Sequence, residues 1–132
     1  MSVRTRLFWI VAILAPLCVL SFQLASKYQP APPQATANVA LKFSATEFKF
    51  APSSGTVKSG SPVNVTLTDG GSVDHTWVLL DKDGKTVLTR LDAKVGQSVS
   101  KDFTAPAAGS YTFICDVPGH REAGMSGTLT VN

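Results

Sequence analysis

Residues 39–132 are predicted to form an all-β domain, an antiparallel β-sandwich. Apolar residues alternate with polar or small ones in several short runs, which is the period-two pattern of half-buried strands. Turn-forming residues recur between the runs, and the clearest of these signals is Asp83-Gly84, between two apolar runs. Because no part of this range keeps a helical period over three turns, we expect no long helix in the domain.

The strands are placed by their alternating apolar residues and separated by further breaks at 53–55, 69–71 and 107–109. The same alternation sets Cys115 on the face of Tyr111 and Phe113, so its sulfur is expected to emerge at the end of the core. In chain order the alternating residues are Val39, Leu41 and Phe43; Val63, Val65 and Leu67; Tyr111, Phe113 and Cys115; and Leu129 and Val131.

Residues 1–25 precede the domain as a membrane anchor or signal segment. After Arg4 and Arg6, residues 7–25 carry no charge, and as a helix they would span roughly 28 Å, close to a hydrocarbon core of about 30 Å. This length, with a poor cleavage site at Gln23 and Ala25, favours a retained hydrophobic helix over a cleaved signal. Cys18 is interpreted as an apolar filler of this segment. In both cases the arginines stay cytoplasmic and the domain is exported to the periplasmic or extracytoplasmic face.

Residues 26–38 are rich in Pro, Ala and Gln and are predicted to be a tether, which could reach about 40 Å if extended. The formal net charge of +3 belongs to the segments before the domain. Of 12 Lys and Arg residues, three precede residue 39, which leaves nine basic residues against nine acidic ones. Because the domain is formally neutral, it has no basic stripe of the kind that nucleic-acid binding requires.

Four residues of the domain have the chemistry of a copper site. Cys115, His120 and Met125 follow C-x4-H-x4-M spacing, with Pro118-Gly119 turning the chain between the first two, and His75 lies upstream. Two imidazoles, a thiolate and a weak thioether are the donors of an electron-transfer copper centre. The sequence therefore predicts one type 1 copper ion bound by His75, Cys115, His120 and Met125.

Each of these residues has a plainer interpretation when it is taken alone. A buried Cys is usually a small hydrophobe, a Met fills core space, and a loop His is usually solvated. Together they are harder to explain, because an unpaired cysteine in an exported domain is unusual and both histidines of the chain accompany it. Zinc is the main rival metal, although a thioether is a poor zinc ligand.

With these motifs, residues 39–132 resemble the cupredoxins, the small blue copper proteins. The Pro-Gly-His and C-x4-H-x4-M pattern is most similar to the auracyanins, and the run His-Thr-Trp-Val-Leu from His75 is also similar to azurin. The resemblance implies a Greek-key sandwich with the four ligands above. It also implies single-electron exchange with larger redox proteins, such as a cytochrome or a membrane redox complex. Docking would use an apolar patch around His120, here with Val117, Pro118 and Ala123.

The sequence departs from the usual family pattern beside two ligands. Many members have Asn after the first histidine, where this chain has Thr76, and Asp116 follows the cysteine where Ser, Thr or Asn is usual. We predict that the Thr76 hydroxyl or N–H bonds to the Asp116 side chain and ties the ligand loops together, the alternative being that both face water. The Asp74 carbonyl is a further candidate for a weak axial contact opposite Met125.

The predicted function is that of a mobile or membrane-tethered one-electron carrier, which we expect to be a monomer without a small-molecule substrate. An enzyme with a second copper centre would need more histidines than the two in the chain. An extracytoplasmic copper carrier or storage protein is the alternative, since the same ligands could transfer metal instead of electrons. An immunoglobulin-like interaction module without metal is the remaining possibility.

Overall fold

The computed structural model describes residues 38–132. The predicted membrane helix, Cys18 and the tether up to residue 37 lie outside the described residues. None of the residues described belongs to a helix that could span a bilayer. The domain has nine strands: β1 (Val39–Thr46), β2 (Lys49–Ala51), β3 (Ser54–Val57), β4 (Pro62–Asp69), β5 (His75–Leu80), β6 (Val87–Ala93), β7 (Ser98–Thr104), β8 (Gly109–Ile114) and β9 (Ser126–Val131).

The strands form two sheets that face each other. One sheet has the order β2-β1-β4-β7 and the other the order β3-β9-β8-β5-β6. The predicted all-β Greek-key sandwich is confirmed, but its sheets are mixed, because β1 pairs with β4 and β3 pairs with β9 in parallel. The physical reason is that β3 leaves the first sheet for the second before β4 returns beside β1, so neighbouring strands need not alternate in direction.

Burial follows the alternation that the sequence shows. In β4, Val63, Val65 and Leu67 are fully buried, whereas the residues between them are only partly covered. In contrast, every residue of β5 is buried, because this strand lies between β8 and β6 and both of its faces are covered. The strand that starts with His75 is therefore the most enclosed element of the domain.

Aromatic rings fill the space between the sheets. Phe43 of β1 lies 5.5 Å from the Trp77 ring of β5 and 4.9 Å from the Phe113 ring of β8, between centroids. All three side chains are at most 2% exposed. A fully buried large apolar side chain stabilises a fold by about 1.5–3 kcal/mol. These three rings therefore contribute strongly to the packing of the two sheets against each other.

The predicted turn at Asp83-Gly84 is present between β5 and β6. Gly84 has a φ of 67° and donates its N–H to the Asp81 carbonyl at 2.8 Å. This turn sets β5 against β6 so that His75 pairs with Ala93 and Leu80 with Val87. The two ends of the sandwich are thereby defined, with His75 at one end and Val87 at the other.

Candidate metal centre

The four predicted ligands come from two neighbouring strands and one loop. His75 is the first residue of β5, and Cys115 directly follows the last residue of β8, Ile114. Since β5 and β8 run antiparallel and pair Val78 with Ile114, the start of one strand lies beside the end of the other. His120 and Met125 belong to the loop that joins β8 to β9. Sheet topology thus brings residues 40 positions apart to one end of the domain.

The side chains of this group are buried and close together. The Cys115 Sγ lies 3.6 Å from the His120 Nδ1, and the rings of His75 and His120 are 5.1 Å apart between centroids. His75, Cys115 and Met125 are fully buried, and His120 is 8% exposed. A thiolate at this position is shielded from water, and only His120 approaches the surface.

The loop from Cys115 to Met125 is closed by its own backbone. The Cys115 N–H donates to the Met125 carbonyl at 3.1 Å, and the Met125 N–H donates to the His120 carbonyl at 2.9 Å. Gly119 and Gly124 hold φ values of 86° and 96°, which favour glycine over residues with a side chain. These bonds fix the three ligand candidates of the loop relative to one another without any metal.

His75 is held by a carboxylate that was not among the predicted site residues. Asp69, at the end of β4, is 1% exposed, and its Oδ1 lies 3.0 Å from the His75 Nδ1. Asp69 also accepts the His75 backbone N–H at 3.1 Å. On the other side of the ring, the His75 Nε2 is buried and has no hydrogen-bond partner among the described residues. Of the two ring nitrogens of His75, Nδ1 is therefore the one with a hydrogen-bond partner in the described domain.

This donor set fits a copper ion in its chemistry. A buried, unpartnered imidazole nitrogen, a buried thiol, a second imidazole and a buried thioether are soft or borderline donors that suit copper. Among residues 38–132, no group of three or more His, Cys, Asp or Glu side chains has the geometry of a metal site. The fit therefore rests on donor type and burial, and the assignment of the four ligands stays a prediction.

The predicted link between Thr76 and Asp116 is present. The Thr76 hydroxyl donates to the Asp116 Oδ1 at 2.7 Å and accepts the Asp116 N–H at 3.0 Å. The Thr76 N–H and hydroxyl also lie 3.5 Å and 3.6 Å from the Cys115 Sγ. The two ligand loops are thus tied together beside the sulfur, with Thr and Asp in place of the usual pair.

Arg90 of β6 extends this link towards the surface. Its guanidinium forms ion pairs with Asp116 and, at 2.8 Å, with Asp92. Although burial opposes ionisation of Asp116, hydrogen bonds from Arg90 and Thr76 lower its pKa below the usual value. The pKa of Arg90 is raised by its hydrogen bonds to Asp92 and Asp116. The Asp116 carboxylate is therefore held from both sides, and sequence spacing gave no signal for Arg90.

Phe48 covers the outer side of His120. Its ring meets the imidazole edge-on at 5.3 Å between centroids, and its side chain is 51% exposed. Phe48 has a φ of 61°, which is rare for a bulky residue and is often found at functional sites. Of the predicted patch, Val117 is half-buried, while Pro118 and Ala123 are exposed. Phe48 was not among the predicted site residues, because its neighbours Glu47 and Lys49 give no apolar pattern.

Known proteins resemble this chain over the described domain. The family described as "Copper binding proteins, plastocyanin/azurin family" matches residues 37–132. The chain belongs to this family. Membership implies a single type 1 copper as cofactor and supports a blue copper electron carrier in general.

Individual relatives agree with this membership. The chain is 30% identical over 103 residues to Auracyanin-A of Chloroflexus aurantiacus, covering 58% of this chain and 63% of that protein. It is 29% identical over 102 residues to the copper-resistant cuproprotein CopI of Rubrivivax gelatinosus, covering 63% of this chain and 59% of that protein. The chain thus spans less than two thirds of the length of both relatives.

A solved structure of Auracyanin A, described as a "blue" copper protein of the same Chloroflexus species, superposes with a TM-score of 0.64 at 27% identity. The match covers 73% of this chain and 100% of the Auracyanin A chain. The likeness to cupredoxins, and to auracyanins in particular, is therefore confirmed.

Proposed function

We propose that this protein is a one-electron carrier whose single copper ion is held by His75, Cys115, His120 and Met125. The observation that carries the proposal is the buried donor set at one end of the sandwich, with the Cys115 Sγ 3.6 Å from the His120 Nδ1. When bound, copper supplies a Cu(I)/Cu(II) couple. The protein supplies buried donors on a loop that is closed by backbone hydrogen bonds, which limits rearrangement when the charge changes.

The spectrum of the oxidised, copper-loaded protein tests this assignment. The intense blue absorption should be present in the natural chain and absent in Cys115→Ser, because the absorption arises from the copper–thiolate bond. Cys18→Ser is the matched control, since Cys18 lies in the predicted anchor or signal segment and its substitution should leave the spectrum unchanged. A blue spectrum that survives Cys115→Ser would refute the ligand set.

A copper carrier or storage protein is the second candidate, and the similarity to the copper-resistant cuproprotein supports it. A redox titration with metal analysis separates the two functions. Reversible one-electron cycling with copper retained supports the electron carrier, whereas loss of copper on reduction supports the metal carrier. We do not propose an enzyme, because the chain has only two histidines, both placed in the one site.

We propose that the protein lies at the outer face of the cytoplasmic membrane, with residues 7–25 as the anchor and residues 26–38 as the tether. The support is the uncharged apolar run after Arg4 and Arg6. Mass analysis of the protein recovered from the membrane fraction tests retention: the complete N-terminus should be found there. Recovery of a shortened chain in the soluble periplasmic fraction would show cleavage instead.

Redox partners are proposed to dock on the predicted apolar surface around His120. We extend this surface, with its Val117, Pro118 and Ala123, by Phe48 and Val73 and call it the His120 patch. Phe48 and Val73 are 51% and 45% exposed, so both offer apolar surface to a partner. The loop with Val73 is tied to the Phe48 turn, because Glu47 accepts the Ser72 N–H. His120 is the least buried of the four proposed ligands, at 8% exposed, and the Phe48 ring lies against it.

The docking proposal is tested with Phe48→Ala and a soluble c-type cytochrome as the electron acceptor. The second-order transfer rate should fall roughly tenfold, since a central aromatic residue commonly contributes 1–2 kcal/mol or more to an interface. Leu88→Ala is the matched control, because Leu88 is 40% exposed on β6, near the Val87 end that lies away from His75. Equal rates in both variants would contradict docking at this patch.

A further inference from the structure

The turn between β1 and β2 places an aromatic residue where a glycine is usual. Thr46 pairs with Lys49, so Glu47 and Phe48 are the two residues of the turn. Phe48 has a φ of 61°, and turn positions with positive φ are ordinarily taken by Gly or Asn, because a larger side chain is strained there. Such strain persists only where the surrounding structure enforces it, so a contact beside the turn must hold Phe48 in place.

The parallel ladder between β1 and β4 continues beyond both strands. Its last pair is Ala45 with Asp69, and the Gly70 N–H then donates to the Ala45 carbonyl at 2.9 Å. In a continued parallel ladder, the Ser72 N–H would donate to the backbone carbonyl of Glu47. Here the Ser72 N–H donates to the Glu47 Oε1. The side chain of Glu47 therefore takes the place of its own carbonyl in the ladder.

This exchange lets the backbone turn away from the sheet while the loop after β4 stays attached. The Glu47 carboxylate lies against this loop, since a Cβ at Gly71 would be 2.9 Å from the Glu47 Oε1. The Lys and Arg ion pairs found within residues 38–132 involve other carboxylates, so the loop is the described partner of Glu47. The next residue, Phe48, sets its ring edge-on against His120 at 5.3 Å between centroids. One turn thus carries both the bond to the loop and the ring over His120.

We propose that Glu47 is a positioning residue for the docking surface, because its bond to the loop after β4 holds the Phe48 ring over His120. The inference rests on the proposed function, in which redox partners dock at the His120 patch. Glu47 acts through Phe48 and not by contact with the partner. A Gln at this position keeps an oxygen that can accept the Ser72 N–H, whereas an Ala has none. These two variants therefore separate the hydrogen bond from the negative charge.

The positioning is tested by NMR on the full chain, reduced so that any bound copper is diamagnetic Cu(I). Nuclear Overhauser contacts between the ring protons of Phe48 and His120 should be present in the natural protein, retained in Glu47→Gln and lost in Glu47→Ala. Asp102→Ala is the matched control, because Asp102 is an exposed carboxylate of β7 that accepts the Asn64 amide at 2.7 Å. Contacts that persist in Glu47→Ala would overturn the inference.

The link to docking is tested by electron transfer to a soluble c-type cytochrome. The second-order rate should fall roughly threefold in Glu47→Ala, because the strained turn then leaves the docking geometry in most molecules. It should stay near the natural rate in Glu47→Gln and in Asp102→Ala. Equal falls in Glu47→Gln and Glu47→Ala would assign the effect to charge and overturn the inference.

A double variant shows whether Glu47 acts through the aromatic ring. In a Phe48→Ala background, Glu47→Ala should cause no further fall in rate, since residues that act through one contact are not additive. A full additional fall would overturn the inference. If Phe48→Ala alone leaves the rate unchanged, docking at the His120 patch fails, and the Overhauser contacts decide the positioning: their loss in Glu47→Ala supports it and their persistence overturns it.

Discussion

Met125 is the weakest of the proposed ligands and therefore the residue through which the potential is most easily changed. Its side chain is fully buried, and its backbone bonds to both Cys115 and His120. Met125→Gln should retain copper and lower the potential, because an amide oxygen is a harder donor that favours Cu(II). Metal analysis with voltammetry checks this. Loss of copper, or a higher potential, would contradict the role of Met125 as an axial ligand.

The Thr76 hydroxyl is expected to contribute to stability as well as to loop position. Thr76→Val keeps the shape but removes the two hydrogen bonds with Asp116, so the free energy of unfolding should fall by about 1–2 kcal/mol. Thr89→Val is the matched control, because the Thr89 hydroxyl is buried without a partner in the described domain. Denaturant titration should show no loss for the control. Equal losses would mean that the Thr76 bonds add nothing to stability.

Single residues differed in how far the sequence could predict them. The bond between Thr76 and Asp116 was predictable, because both departures from the family pattern are polar and lie beside ligands. Asp69 was not, since Asp-Gly-Gly also indicates an ordinary turn and only the fold shows that its carboxylate points inward. Phe48 has no sequence signature either, because a positive φ at a non-glycine residue is imposed by its surroundings.

The loop between β4 and β5 is the element that shapes the upstream half of the site. Its two glycines offer an internal comparison, because a Cβ at Gly71 would lie 2.6 Å from the His75 ring, whereas at Gly70 the nearest atom is 3.7 Å away. We expect Gly71→Ala to weaken copper affinity roughly tenfold or more by displacing His75. Gly70→Ala should leave it nearly unchanged. Competition with a copper chelator measures both, and equal affinities would show that the loop does not position the ring.

For the strands, the sequence predicts which face is buried better than it predicts which strands are neighbours. The alternating pattern correctly predicts that Val63, Val65 and Leu67 of β4 are buried, because a period of two shows which side of a strand is covered. It could not show that β4 lies parallel to β1, since the same alternation serves either direction. Strand partners depend on where the chain crosses between sheets, which is a property of the whole fold.

For the molecule as a whole, the balance of charge affects the rate at which redox partners associate with the domain. The nine basic and nine acidic residues after residue 38 cancel, so long-range steering should be weak. We expect the rate of electron transfer to a soluble cytochrome to change less than about threefold between low and physiological salt. Stopped-flow kinetics over a salt series checks this. A steep dependence would show that local charges, and not the His120 patch, guide docking.

The enclosure of Trp77 gives the protein an optical reporter of its own. This indole is fully buried between Phe43 and Phe113, and its Nε1 has no hydrogen-bond partner in residues 38–132. An indole in such a dry setting should fluoresce at short wavelength with little solvent relaxation. In a Trp9→Phe background, which removes the only other tryptophan, this emission should be quenched as Cu(II) is added and should shift to the red on unfolding. One fluorophore would then follow both metal loading and the integrity of the core.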